Sequence, residues 1–311
     1  MADDIHRSIL VIKLGALGDM VLALGPFAAI RKHHPDAKIV LLTTPPYISF
    51  LSLSGYFDEI WADSRPTIWK FSEWWKLIGR LKAGGFSRIY DLQTSDRTGW
   101  YYRLMCLRGV YEWSGIVLGC SHRHTNPKRD FMHSIDRQKE QLAVAGIKTV
   151  PDPDLSWVSS SLDKFLLKSR YVLLVPGTAA HRLAKRWPAI RFASLAQSLV
   201  AQGIQPVIIG ASPEMLIGKQ ITNVCPSVLD LTGKTELEDI VALAHHAAGA
   251  VGNDTGPIHM IAAAGCPTIV LFSDDSDPVL TAPRGPLVEV IKRNNLEKLE
   301  TEAVAAALRL R

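Results

Sequence analysis

Short apolar runs rich in β-branched residues alternate along the chain with longer stretches whose apolar residues recur at helical spacing. Residues 8–14 (SILVIKL) predict a buried strand, followed by a glycine turn and a helix over about 19–33. Pro35-Asp36 reads as a turn, and residues 38–44 (KIVLLTT) as a second strand. Further strands are predicted at 88–92 (RIYDL) and 111–116. Strand, helix, strand in repetition means a parallel sheet with helical crossovers, because parallel strands cannot be joined by a tight hairpin.

The pattern then restarts. Residues 171–175 (YVLLV) run into Pro176-Gly177-Thr178, and a helix spans about 188–202, ended by Gly203. Strands follow at 206–209, 228–231, 248–252 and 268–272, with helices near 235–246 and 256–264. Two such series, joined around 151–161 (PDPDLSWVSSS), predict an α/β protein of two Rossmann-like, doubly wound domains, 1–155 and 156–311, facing a central cleft. A C-terminal helix over about 296–309 is expected to pack back on the first domain. Ligands of open α/β sheets sit beyond the C-terminal strand ends, so the expected site is the cleft.

Composition narrows the picture further. With 311 residues, 47% hydrophobic and 21% charged, the chain has ample material for buried cores and is not a disordered polymer. Its longest nearly apolar stretch, 260–272, is broken by Gly265 and Pro267 and is too short to span a bilayer. An acidic start, Met1-Ala2-Asp3-Asp4, is unlike a secretory leader, so the cytoplasm is the expected location. Four scattered cysteines with no C-x-x-C pair argue against a disulfide framework or a zinc site. A net charge of +5 suits an anionic ligand or membrane surface without calling for nucleic acid.

Three loops carry candidate chemistry. Lys13-Leu14-Gly15-Ala16-Leu17-Gly18-Asp19 is a G-x-x-G-D turn, neither a dinucleotide fingerprint nor a P-loop. It sets a carboxylate, Asp19, at a helix start, where an N-capping role is an equal alternative. Gly252-Asn253-Asp254-Thr255-Gly256-Pro257-Ile258-His259 leads a strand into a helix whose free N–H groups suit a phosphate. The plainer reading is a capped turn, with His259 an ordinary buried side chain. The third loop, 176–188, carries Thr178, His181, Arg182, Lys185 and Arg186 between a strand end and a helix start. It suits a pyrophosphate, or is simply a solvated basic loop.

In order along the chain, K-L-G-A-L-G-D-M, P-G-T…A-K-R-W-P and G-N-D-T-G-P-I-H-M-I-A-A-A-G-C-P-T resemble glycosyltransferase family 9, the ADP-heptose:lipopolysaccharide heptosyltransferases. The resemblance implies the two-domain GT-B fold and a cytoplasmic enzyme, with room for peripheral contact at the inner membrane. It implies transfer of a heptose or related sugar from an ADP-sugar donor to an anionic glycolipid, the lipopolysaccharide core. Asp19 would take the acceptor proton. Thr178, Lys185, Glu214, Asp254, Thr255, Gly256 and His259 would bind the donor. Gly18, Gln93 and Arg97, the last two from the Asp91-Leu92-Gln93 segment onward, would serve the acceptor. No cofactor and no metal is implied, and one base opposite the leaving group implies inversion. A nucleotide-sugar epimerase and a non-catalytic nucleotide-sugar-binding protein stand as alternatives.

Two further features are ambiguous. Phe71, Trp74, Trp75 and Ile78 follow helical spacing, with Trp61 and Trp69 nearby, and such a stripe is ordinarily core; the alternative is a membrane interface. The basic loop 122–129, with Arg123, Lys128 and Arg129, is either a solvated surface or a contact for an anionic acceptor.

Overall fold

The computed structural model describes residues 8–67, 69–106, 111–178 and 182–311. The chain divides into two compact units, Met1–Pro153 and Asp154–Arg311. Residues 1–4 and Ala179, Ala180 and His181 of the basic loop lie outside the described residues.

In the first unit the described strands are β1 (Ser8–Ile12), β2 (Lys38–Thr43), β3 (Glu59–Ala62), β4 (Phe86–Asp91), β5 (Glu112–Gly115) and β6 (His122–Arg123). They pair in parallel in the order β3-β2-β1-β4-β5-β6. The second unit contains β7 (Tyr171–Val175), β8 (Gln205–Ile208), β9 (Leu229–Asp230), β10 (Gly249–Asn253), β11 (Thr268–Phe272) and β12 (Val288–Lys292). Their order, β12-β11-β10-β7-β8-β9, is the first sheet's order over again and again parallel throughout. The central strands β1 and β7 are buried along almost their whole length, as expected of strands covered by helices on both faces.

Each unit has its own core. Leu10, Ile12, Val40, Leu42, Ile89 and Trp113 lie in the first; Val172, Leu174, Ile208, Val251, Leu271 and Trp187 lie in the second. The C-terminal helix is shorter than expected, Thr301–Ala307, and its Val304 is buried in the second unit's core.

The helix expected over about 19–33 is two, Leu17–Leu22 and Leu24–His33. Pro26 explains the break: it has no N–H for Leu22 O, and its ring crowds that carbonyl. The aromatic stripe is only half core. On the helix Phe71–Ala83, Ile78 and Leu81 are buried and Trp74 packs edge-on to Tyr101, but Phe71 and Trp75 face solvent. Among the described residues no helix is long and apolar enough to cross a membrane.

Candidate active site

The strand order positions both motif loops. In each sheet two neighbouring strands, β1 and β4 or β7 and β10, send the chain off in opposite directions, which opens a crevice at their C-terminal ends. The turn after Ile12 and the segment from Asp91 occupy that place in the first unit. Residues 176–178 and 253–256 occupy it in the second.

The first crevice is stitched by side chains. Lys13 is buried and donates from Nζ to Leu92 O at 3.2 Å, while Leu14 N–H donates to Gln93 Oε1 at 2.8 Å. Thr44 and Arg65 both donate to Leu14 O. Gly15 has φ +110°, and a Cβ there would fall 2.8 Å from the Tyr47 ring, so only glycine fits the turn. Asp19 is not the N-cap of its helix; that position is Ala16. Asp19 stands three residues in, beside Gly18, and Oδ2 accepts from Ala16 N–H at 3.3 Å. Its carboxylate borders a polar cavity of about 210 Å³, whose other walls include Lys13, Gln93, Thr94, Arg129 and Arg137.

Three cations thus surround one accessible carboxylate. Burial lowers the pKa of the Lys13 ammonium, against the opposing pull of Asp19 and Asp91. Arg129 donates to Thr94 Oγ1 at 2.9 Å and to His124 Nδ1 at 2.6 Å. Because arginine only donates, His124 is left to give its Nε2–H to Glu140, 3.0 Å away. The chain Glu140–His124–Arg129 aims a guanidinium into the cavity. Asp91 lies deeper: Oδ1 accepts from the N–H groups of Gln93 and Thr94 at 3.1 and 2.9 Å. Burial pushes its carboxyl up to about 6, although the backbone donors and Lys13 pull the other way.

Arg97 stands apart from this cavity. Its guanidinium donates to Pro66 O at 2.9 Å and Tyr101 Oη at 3.2 Å and lies 5.1 Å from the Trp74 ring centre. Of the basic loop, Arg129 reaches the cavity, whereas Arg123 donates to Ile116 O.

In the second unit Lys185, Asp254 and His259 form one buried cluster. Lys185 Nζ donates to Asp254 Oδ2 at 2.6 Å, and His259 Nε2 lies 3.6 Å from Oδ1. Burial alone would raise the Asp254 carboxyl, but His259 and Lys185 outweigh it and hold it at about 2. His259 Nδ1 is buried with no hydrogen-bond partner among the described residues. The helix Gly256–Ala263 starts at this cluster from an extended Thr255, with no side chain capping its N–H groups. One orphan of the first turn is removed by Pro257; the rest are available to an anion.

Asn253 fastens the two loops together, accepting from Trp187 N–H at 3.0 Å and donating to Pro176 O at 2.8 Å. The Thr178 hydroxyl is engaged within its own loop: it donates to Arg182 O and accepts from Arg186 Nε at 2.8 Å. Glu214 fills the space above two glycines. A Cβ on Gly177 would fall 1.6 Å from its carboxylate, and Oε2 accepts from Ala211 N–H at 2.7 Å. Burial raises its pKa despite that bond and Arg186.

Arg137 and Asn253 escape sequence reasoning as individual residues. Arg137 sits in an unremarkable helix start, and only the packing of Ser134–Val144 brings it to Asp19's cavity. Asn253 was visible inside its motif, without sign of the two loops it joins. Among the described residues no group of three His, Cys, Asp or Glu side chains is arranged to hold a metal ion.

Two parallel sheets of identical order, each with its motif loops at the switch point, define the GT-B α/β fold. The chain belongs to glycosyltransferase family 9 (heptosyltransferase), whose model matches residues 74–307. It is 26% identical over 310 residues to lipopolysaccharide heptosyltransferase 3 of Escherichia coli K12, covering 91% of this chain and 87% of that one. The structure of E. coli ADP-heptose lps heptosyltransferase II matches with a TM-score of 0.80 at 23% identity, over 97% of each chain. E. coli heptosyltransferase WaaC with ADP-2-deoxy-2-fluoro heptose matches with a TM-score of 0.77 at 19% identity, over 96% of this chain and 98% of that one.

Proposed function

We propose that the protein transfers a heptose, or a closely related sugar, from an ADP-sugar to the core of a lipopolysaccharide acceptor, with inversion and without a metal. The observation that carries this reading is the placement of both motif loops at topological switch points, an accessible carboxylate at one and an uncapped helix start with a buried lysine at the other. The donor class is supported by family membership and by the ADP-sugar analogue bound to WaaC.

The work divides between the units. In the second, the N–H groups at Thr255 and Gly256 and the Lys185 ammonium receive the diphosphate. Lys185 uses one of its three protons on Asp254 and keeps two for phosphate oxygens. Charge that develops on the departing diphosphate is met by groups already in place, so no divalent ion is needed for that purpose. His259 braces Asp254 from the other side, and Glu214 receives the nucleoside. Thr178 shapes the loop instead of donating to phosphate.

In the first unit Asp19 accepts the proton of the attacking hydroxyl as the new bond to the anomeric carbon forms and the bond to the diphosphate breaks. Lys13, Arg129 and Arg137 hold an anionic group of the acceptor, with Gln93 and Gly18 shaping the approach. Arg97 braces the segment of Pro66 and Trp74 instead of touching the acceptor. This reading puts the reaction on the cytoplasmic side, as the family resemblance implies.

The direct test is to incubate the protein with ADP-heptose and a heptose-accepting truncated lipopolysaccharide. ADP release that requires acceptor, survives chelation of divalent ions and yields the inverted anomer is expected. Acceptor-independent hydrolysis alone, or a retained anomer, overturns the reading.

A further inference from the structure

Three large aromatic side chains stand in solvent within seven residues of sequence: Trp69, Phe71 and Trp75, at 77%, 66% and 72% of full exposure. Such side chains gain nothing from folding where they are, and clustered exposure of this kind marks a surface that is covered in use. On the helix Phe71–Ala83, at 100° per residue, Phe71, Trp75 and Lys82 fall within about 40° of one another. Gly79 lies beside them, with open space where a Cβ would be. This strip flanks the buried side formed by Ile78 and Leu81, so the helix can be anchored on one side and offered on the other.

The charge of the segment is one-sided. Between Trp69 and Ala83 there are four cations and one carboxylate, Glu73, which pairs with Lys70 at 2.9 Å. Lys76 and Arg80 are exposed, and Arg80 stacks over Trp61 at 4.2 Å. Aromatic rings on one flank and lysines around them match the interface of an anionic bilayer, where Trp prefers the headgroup level and each cation adds attraction.

The face is also tied to the reacting end of its unit. It follows β3, and β1, β3 and β4 are parallel, so it emerges from the same end of the sheet as the Asp19 turn. Arg65 donates to Leu14 O, at the start of that turn, and Arg97 joins Pro66 O to the Trp74 ring.

We infer that Trp69, Phe71 and Trp75, ringed by Lys70, Lys76 and Lys82, seat the first unit on an anionic phospholipid surface. Only the further step, that a lipid-borne acceptor is presented there to Asp19, rests on the function proposed above.

The full chain is tested by cosedimentation with vesicles of phosphatidylethanolamine and phosphatidylglycerol, and with vesicles of phosphatidylcholine alone. Binding to the anionic vesicles, a blue shift of tryptophan emission and release by salt are expected. A W69S/F71S/W75S variant should bind about tenfold more weakly and lose most of the shift. A K76E/K82E variant should bind at least about 25-fold more weakly, since each lysine near such a surface is worth about fivefold. Both variants should retain ADP affinity and turnover on a deacylated, soluble acceptor. Failure of the unaltered chain to bind anionic vesicles overturns the inference, as does equal binding by the aromatic variant. Self-association that the aromatic changes abolish, without vesicle binding, would assign the face to a second copy instead. Vesicle binding without any transfer to the soluble acceptor would leave the docking face standing and remove the proposed function.

Discussion

Two carboxylates near Lys13 have opposite environments, and the contrast separates their roles. Asp19 borders a cavity and makes one long hydrogen bond, so an acceptor hydroxyl can reach it. Asp91 is sealed from solvent and cannot be reached. Asp19→Asn keeps an oxygen for Ala16 N–H but removes the basic site, which separates helix capping from catalysis. Turnover should drop about 10²–10⁴-fold, with calorimetric ADP affinity unchanged. Turnover near normal would return Asp19 to capping. For Asp91 the sign of the pH effect follows from its raised carboxyl, about 6 against an ordinary 3.8. Between these values the folded chain holds more protons than the unfolded one, so stability falls as pH rises, and the penalty is complete above about 6. Asp91→Asn should therefore stabilise the protein at neutral pH by about 1–3 kcal/mol, with the advantage gone by about pH 4. Thermal melts of both proteins across that range check it; a variant less stable at neutral pH would show that Lys13 makes the ionised form the preferred one.

At the scale of elements, the long apolar strands and their glycine-terminated loops were legible in the sequence, because β1, β2, β7, β10 and β11 are buried on both faces. Three of the four edge strands were not: β3 and β6 are short and half exposed, and β12 alternates weakly, whereas the fourth, β9, falls within the predicted 228–231. The cluster Lys185–Asp254–His259 follows from motifs that read directly, whereas the Arg129–Arg137 wall depends on how the helix Ser134–Val144 packs. Arg97 shows the limit of motif reasoning, since a basic residue in the expected position is spent on Pro66 and Trp74. Asn253 is the element-level joint, buried between the ends of β7 and β10 and the loop that carries Lys185. Asn253→Ala leaves Pro176 O and Trp187 N–H without partners, at a cost of about 2–5 kcal/mol. Melting temperature and ADP affinity should fall together. A lower melting temperature with unchanged ADP affinity would mean that the Lys185 loop does not serve the diphosphate.

At the scale of the whole molecule, the repeated strand order means that each half closes its own sheet and buries its own aromatic core. Trp187 and Phe192 stack edge-on in the second unit at 4.8 Å, and the Trp187 indole N–H donates to Leu299 O, tying the C-terminal segment to the same core. The last residue contributes as well: Arg311 N–H donates to Ala248 O, and its guanidinium reaches Ala247 O and Ala244 O. All seven residues that the family resemblance implies for the donor site lie in this half, from Thr178, which shapes its loop, to His259. A unit with a complete sheet, a closed core and a self-contained cluster meets the requirements for independent folding. The fragment Asp154–Arg311 should therefore unfold in one cooperative transition and bind ADP within about tenfold of the full chain, by the same calorimetric measure. Lys185→Ala in the fragment should weaken ADP more than adenosine, because the lost partner is a phosphate charge worth about 1.5–3 kcal/mol. A folded fragment with no affinity for ADP would mean that first-unit residues complete the donor site, and an unfolded one that the two cores are not independent.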